Sequence, residues 1–423
     1  MQVNRIMPYK VPKINFKASK ESENKTKYPN DELYRKTLAQ AVNLKPDEAY
    51  KLSSIIGQEE LSELLRNAKR QYFNPSDIVV EVMDDEKADK LANRGYSFNL
   101  HIHTTASDGV MTPVELLDKA SSYADRLHDI DPNKSFTIAI TDHDTMNGAK
   151  QIVKEVTSNP EKYKNLKIVL GVELSALYRD KNSLDRPLSY ELLGYCVNPF
   201  DNNAQSYLNQ LRLTRVGLAE NIILNAYKQH PEYNFSYDEA CQYSKNPKKG
   251  IDGFLYSLAD YFKSKAPDKG IEQLALQYVP KNKEEKPVLC YEAPVIKEAF
   301  KNAGGFFALA HPGRIHLKGR INDEFIRTAE NEGKKPEHEV INGFIRNLKS
   351  VFEEKFCAME TNYQGYSGSL RHASNILSAD EEYDEKYKNA FNWLAFFRDI
   401  AQKNDFLETG GLDTHSQNPF LRG

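Results

Sequence analysis

From residue 96 onward the chain repeats one pattern, a short apolar run followed by polar sequence or by a longer stretch with helical spacing. The runs are Tyr96 to Ile102, Phe136 to Thr141, Lys167 to Val172, Tyr190 to Tyr195, Phe306 to Ala310, Phe356 to Met359 and Phe406 to Thr409. Their length and flanking turn residues predict strands. Between the first two, Pro113 to about His128 sets Val114, Leu117, Ala120, Ala124 and Leu127 on one helical face. Strands alternating with helices need crossover connections, so the pattern predicts a largely parallel β/α sheet.

The fourth and fifth runs lie much further apart than the usual ~2 to 6 residue βα connection, which predicts a helical insertion. Its first helix carries Leu208, Leu211, Leu218, Ile222 and Leu224, with Arg212 and Arg215 on neighbouring helical positions. Residues 245 to 289, rich in Lys, Pro and Asp, read as exposed loops around a short helix near Phe254 to Phe262. Ahead of the first run, Leu33, Leu38, Ala41, Val42 and Leu44, then Leu52, Ile55, Ile56, Leu61, Leu64 and Leu65, have helical spacing. The expected organisation is a flexible leader (1–30), a helical extension (31–95), a first barrel part (96–200), the insertion (201–289) and a second barrel part (290–423).

Composition narrows the function without choosing it. The 57 basic and 60 acidic residues nearly balance, which argues against binding to membranes or duplex nucleic acid through net charge. Cys196, Cys241, Cys290 and Cys357 are far apart and form no Cys-x-x-Cys pair, so neither a zinc ribbon nor a disulfide framework is expected. No stretch approaches the ~20 apolar residues of a membrane span, and the first residues lack the apolar core of a signal peptide. A cytoplasmic location is the expectation.

The chemistry gathers where the runs end. In His101-Ile102-His103, strand alternation would turn both imidazoles to one face and Leu100 and Ile102 to the other. Alone, a His-x-His pair is weak evidence for a metal. Here Asp108 follows it, the second run ends in Asp142-His143-Asp144, the third in Glu173, the fifth in His311-Pro312-Gly313-Arg314, and the last is followed by Asp413-Thr414-His415. Five of the ten histidines fall at these points. In parallel barrels, catalytic groups cluster at the C-terminal strand ends, so these residues are expected to converge. Imidazoles mixed with carboxylates suit Mn²⁺, Zn²⁺ or Fe²⁺ better than Mg²⁺, which remains an alternative. So many candidate ligands exceed one site, and multinuclear centres serve displacement at phosphorus. Asp142 and Arg314 are the catalytic candidates beside them.

His-x-His with Thr-x-x-Ser-Asp-Gly, then Thr-Asp-His-Asp, Gly-Val-Glu, Ala-His-Pro-Gly-Arg and Gly-x-Asp-x-His, in this order, resemble the polymerase-and-histidinol-phosphatase (PHP) family over roughly Tyr96 to His415. The resemblance implies a distorted seven-stranded β/α barrel with three metals at one mouth. It assigns His101, His103, Glu173 and Asp413 to one ion, Glu173 and His311 to a second, and Asp108, His143 and His415 to a third. Leu192-Leu193-Gly194-Tyr195 resembles a further motif in which a histidine ligand of the second metal precedes the first leucine. Glu191 stands there instead, as a substitute carboxylate ligand or as the mark of a weak site.

The Arg-x-x-Arg of the insertion and the Ala-His-Pro-Gly-Arg motif look most like the branch of nucleotide phosphatases and 5′-to-3′ exoribonucleases. This implies a phosphorylated small molecule or short nucleic acid as partner, a 3′,5′-bisphosphonucleotide or short RNA as substrate, and Arg314, Arg212 and Arg215 as phosphate contacts, since guanidinium matches phosphate bidentately. The alternatives are a phosphatase for a small metabolite such as histidinol phosphate, and a catalytically idle barrel used as a binding module.

Overall fold

A computed structural model describes residues 27–67, 97–242, 255–267, 290–363 other than 316 and 318, and 395–415. Residues 1–26 of the expected flexible leader, residues 68–95 of the helical extension and much of the loop-rich part of the insertion lie outside these residues, and the first described helix, Pro29–Ala41, begins inside the stretch expected to be leader. Each of the seven apolar runs forms a strand: β1 Phe98–Ile102, β2 Phe136–Ile140, β3 Leu166–Tyr178, β4 Leu188–Tyr195, β6 Phe306–Leu309, β7 Phe356–Tyr363 and β8 Leu407–Gly411. They pair in the order β1-β2-β3-β4-β6-β7-β8, and the two-residue β5, Tyr291–Glu292, pairs with β3. Ile102 forms a parallel bridge with Thr414, whose carbonyl accepts from His103 N at 2.9 Å, so the sheet comes round nearly to a closed barrel.

One strand breaks the parallel rule. β4 is antiparallel to both β3 and β6, because residues 179–187 turn back as a hairpin where a helix-period connection was expected. The distortion therefore has a definite place. Small and medium side chains fill the narrow barrel interior, among them Leu100, Ala139, Val169, Leu193, Ala308 and Ala358. The alternate residues Ile138, Ile140, Ile168, Leu170, Leu192 and Leu309 face the helical layer. Strands buried on both faces read as continuous apolar runs, which is why they stand out in the sequence.

The segment ahead of the barrel closes its far end. Ile56, Leu61 and Leu65 join the interior cluster, and Ile56 N donates to Ile168 O at 3.0 Å near the start of β3. Buried Asp31 accepts from Glu59 N (2.9 Å) and Glu60 N (2.8 Å) at the start of the helix Gln58–Asn67. A carboxylate satisfies unpaired N–H groups there and complements the helix dipole. Leu33, counted in the apolar stripe, is exposed. In the insertion, the helix Asn202–Gln229 buries Leu208, Leu211, Leu218 and Ile222 as its spacing predicts, but leaves Leu224 exposed. Among the described residues no helix is long and apolar enough to cross a membrane.

Candidate metal centre

At the other mouth, β1 departs from simple alternation. Leu100 turns into the barrel and Ile102 into the outer layer, so the expectation that they share a face is corrected. The cause is a register shift between Asn99 and Ile102, where Asn99 Oδ1 accepts from His101 N at 3.3 Å and Leu412 N at 3.0 Å. The two imidazoles nevertheless converge: His101 Nε2 and His103 Nε2 lie 3.2 and 3.3 Å from Glu173 Oε2. The neighbouring strand must come very close to allow this. A Cβ on Gly411 would stand 2.3 Å from that of His101, so no larger residue fits.

The other strand ends complete the cluster. His143 Nδ1 is 3.0 Å from Glu173 Oε2, and His311 Nε2 is 3.0 Å from Glu173 Oε1, so four imidazoles surround one fully buried carboxylate. Asp413 Oδ1 stands 3.3 Å from His103 Nε2. Asp108 Oδ2 lies 3.1 Å from His415 Nε2 and 3.7 Å from His143 Nε2. Glu191 Oε2 reaches His311 Nε2 at 3.2 Å, and the reversal of β4 is what brings it there. All nine residues expected around metal thus meet in one place.

Their chemistry suits cations better than mutual hydrogen bonding. His101 Nε2, both ring nitrogens of His103 and Glu173 Oε2 are buried without a hydrogen-bond partner, a costly state unless something else satisfies them. Three overlapping groups each offer ligand atoms within 4.8 Å of one another: His101, His103 and Glu173; His143, Glu173 and Glu191; His103, Asp108, His143 and His415. Burial opposes charge on His101, yet Glu173, Glu360 and Asp413 outweigh it and hold its pKa well above the ordinary value. Glu173, also opposed by burial, is held well below the carboxylate range by His101 and His143. Glu191 runs the other way, pushed up by loss of water and by Glu173. His101 and Glu173 thus hold each other charged, and a cation could take the place of the imidazole proton.

Backbone conformation at the site is unusual. Asp144, His311 and Asp413 adopt positive φ (48°, 22° and 50°), a region non-glycine residues seldom occupy and one that collects at functional sites. His311 is fixed by its N–H, which donates to Glu360 Oε2 at 2.8 Å. Glu360 also lies 3.1 Å from His101 Nδ1, the nitrogen turned away from the cluster. A buried carboxylate behind a metal-facing imidazole sets its tautomer and orientation. Sequence reading missed Glu360, although it directly follows the sixth apolar run.

The remaining candidates divide. Asp142, expected to be catalytic, is turned toward the loop after His103: its carboxylate accepts from Thr104 N (2.7 Å), Ser107 Oγ (2.7 Å) and Thr104 Oγ1 (2.8 Å). Those contacts use its lone pairs to fasten the loop that carries Asp108. Arg314, half exposed, places Nη1 3.1 Å from Asp413 Oδ2 at the rim. Arg215 pairs with buried Asp144, whose Oδ1 and Oδ2 also accept from Ser175 N and Oγ. Arg212 and Arg215 both line a small depression beside His143.

Glu191 gives a direct test of the second group. Glu191→Ala is expected to lose one metal equivalent selectively, and Glu191→His to shift preference toward Zn²⁺ because imidazole is the softer ligand. Metal analysis of the three proteins decides it: equal stoichiometry and preference would show that Glu191 holds no ion.

The chain resembles the 5′-3′ exoribonuclease Rnm of Escherichia coli (strain K12), with 25% identity over 238 residues, 54% of this chain and 69% of the relative. Among solved structures, an amidohydrolase from Chromobacterium violaceum, with bound sulfate and no metal, gives a TM-score of 0.48 at 17% identity, covering 77% of this chain and 90% of its own. A protein described as a metal-dependent phosphoesterase from Bifidobacterium adolescentis gives 0.44 at 18% identity, covering 76% and 88%. No family model matches the chain.

Proposed function

We propose that this chain, PHP-like in its ordered motifs and in the exoribonuclease it resembles, is a metal-dependent phosphoesterase acting on 3′,5′-bisphosphonucleotides or short RNA. One observation carries the reading: buried ring nitrogens of His101 and His103 face Glu173 with no hydrogen-bond partner of their own. In this reading His101, His103, Glu173 and Asp413 hold one ion, Glu173, Glu191 and His311 a second, and Asp108, His143 and His415 a third. Ions held there would supply Lewis acidity, lowering the pKa of water from 15.7 toward about 7 and offsetting the charge of a phosphoryl group.

The protein's own groups do the rest. Glu360 orients His101 and His311, Asp142 holds the Asp108 loop, and Arg314 offers a guanidinium at the rim to a phosphoryl group. A charge-assisted bidentate contact contributes roughly 1.5 to 3 kcal/mol. Arg314→Ala should therefore lower kcat/KM about tenfold or more while bound metal stays constant; unaltered kinetics would show that Arg314 faces elsewhere.

The reading is tested by assaying purified, Mn²⁺-loaded protein on phosphorylated metabolites and short RNAs, with His103→Ala in parallel. Phosphate release from bisphosphonucleotides or trimming of RNA is expected, and the variant should lose both activity and metal. Release confined to small metabolites such as histidinol phosphate would favour that alternative. Full turnover by a metal-depleted His103→Ala protein would overturn the metal assignment.

A further inference from the structure

The long helix Asn202–Gln229 serves two cores. Its first part, through Ala204 and Leu208, packs into the layer outside the barrel. Further along, Leu218 and Ile222 pack with Phe235 and Phe262 in a separate cluster belonging to the insertion. Arg215 stands where the helix passes from one core to the other, and its guanidinium pairs with the carboxylate of Asp144. Both side chains are withdrawn from water, at 14% and 1% exposure. Separating a buried pair leaves an uncompensated charge, so this contact fixes the helix against the segment after β2. Asp144 in turn ties together two metal-facing segments. It directly follows His143, its N–H donates to Glu173 O at 2.7 Å, and its carboxylate accepts from Ser175 N (3.0 Å) and Ser175 Oγ (2.8 Å). His143 and Glu173 are themselves joined by a parallel bridge. The positive φ of Asp144 (48°) is a conformation that persists only where the surroundings over-determine it. Arg215 is the member of this network that the insertion supplies.

We propose that Arg215 is a positioning residue: through Asp144 it holds His143 and Glu173 in their ligating arrangement, so that docking of the insertion and binding of metal are coupled. The proposal rests on the metal-centre part of the phosphoesterase reading, and it gives Arg215 a role other than contact with phosphate. The sign of the effect separates positioning from plain electrostatics. A guanidinium close to a cation site repels the cation, so its removal would by itself tighten metal binding. Loss of a positioning contact does the opposite, since groups that orient metal ligands contribute about 10 to 100-fold in metal affinity. Coupling is reciprocal, so metal should in turn steady the insertion against the barrel.

The test is calorimetric Mn²⁺ binding to the full chain without substrate, with thermal unfolding recorded for each protein. Wild type is compared with Arg215→Gln, Arg215→Lys, Asp144→Ala, the double variant Asp144→Ala/Arg215→Gln, and Arg212→Gln. Arg215→Gln should weaken Mn²⁺ binding about tenfold. Arg215→Lys, which keeps the charge but not the planar fork, should weaken it less. Arg212→Gln removes the same charge from the same helix and should leave the affinity unchanged or raise it. In the Asp144→Ala background, Arg215→Gln should add little further loss, because the contact it removes is already broken. Affinity in Arg215→Gln equal to or above that of wild type would overturn the proposal, as would an undiminished loss in the double variant. Weaker binding of inorganic phosphate to the Mn²⁺-saturated variant, with Mn²⁺ affinity unchanged, would make Arg215 a phosphate contact instead. Should Arg215→Gln fail to fold, weaker Mn²⁺ binding by Arg215→Lys supports the proposal and wild-type binding by it refutes it. Wild-type protein that binds no Mn²⁺ would remove the metal reading itself, and this proposal with it.

Discussion

Glu173→Gln is expected to abolish metal-dependent phosphate release, by more than the 10 to 100-fold typical of merely outer contacts, and to remove at least two metal equivalents. Among the described residues, Glu173 is the one carboxylate placed within 3.3 Å of ring nitrogens from His101, His103, His143 and His311. The amide keeps the shape, so the packed mouth is not opened, but it presents an NH₂ where two lone pairs are needed. A second readout follows from protonation. Burial alone would lower the pKa of His103, but the carboxylates of Asp413 and Glu173 beside it, with Asp108 nearby, raise it to about 10. At pH 7 the metal-free imidazole is therefore protonated, and a metal can take it only by displacing that proton. Metal affinity should rise with pH up to about that value, and loading should release protons. With Glu173 neutral, the pull on the imidazole protons weakens, so fewer are released per ion. Calorimetry in two buffers of different ionisation heat measures the count. Wild-type metal content together with a wild-type proton count in the variant would refute the central role of Glu173.

What could be read from the residues follows from which signals are local. Every strand of the barrel path was legible, because burial on both faces makes each strand a continuous apolar run. Seven of the nine residues gathered in the cluster sit where parallel strands end or shortly after, and Glu173 follows the end of its apolar run although β3 continues to Tyr178, so a reader of run endings finds all eight. Glu191 reaches the mouth differently, from the first half of β4, because β4 runs backward. Residues 179–187 carry turn formers (Asp180, Asn182, Ser183, Pro187) and are too few for a helical crossover, a signal that was passed over, and Glu191 was found through its place in a motif. Partnership between distant segments was the least visible. The pairing of Arg215 with Asp144 and the turn of Asp142 toward Thr104 and Ser107 are set by tertiary contacts, and an aspartate beside His143 reads the same whichever way it faces. The single register shift in β1 likewise sent Leu100 and Ile102 to different layers without changing the composition of the strand.

Glu360→Gln should weaken metal binding about 10 to 100-fold without removing any atom that would touch a metal. Glu360 is fully buried and supports two neighbours at once, His101 through Nδ1 at 3.1 Å and His311 through its backbone N–H at 2.8 Å. A carboxylate accepts from both. A glutamine has one acceptor oxygen, which at the Oε2 position must serve both donors alone, 3.3 Å from His101 Nδ1 and 2.8 Å from His311 N, while its NH₂ replaces the nearer Oε1 beside His101; a buried donor that loses its acceptor costs about 1–3 kcal/mol. If His311 N–H is the one stranded, its positive-φ backbone loses the contact that holds it. If it is His101 Nδ1, the imidazole loses the partner that fixes its tautomer, and Nε2 is no longer aimed at Glu173. Either way the ligand atoms survive while their aim deteriorates, so excess metal should restore much of the activity in Glu360→Gln and little in Glu173→Gln. Metal titrations of activity on the two variants separate these outcomes. A Glu360→Gln protein with wild-type metal affinity and thermal stability would show that Glu360 only fills space beneath the cluster.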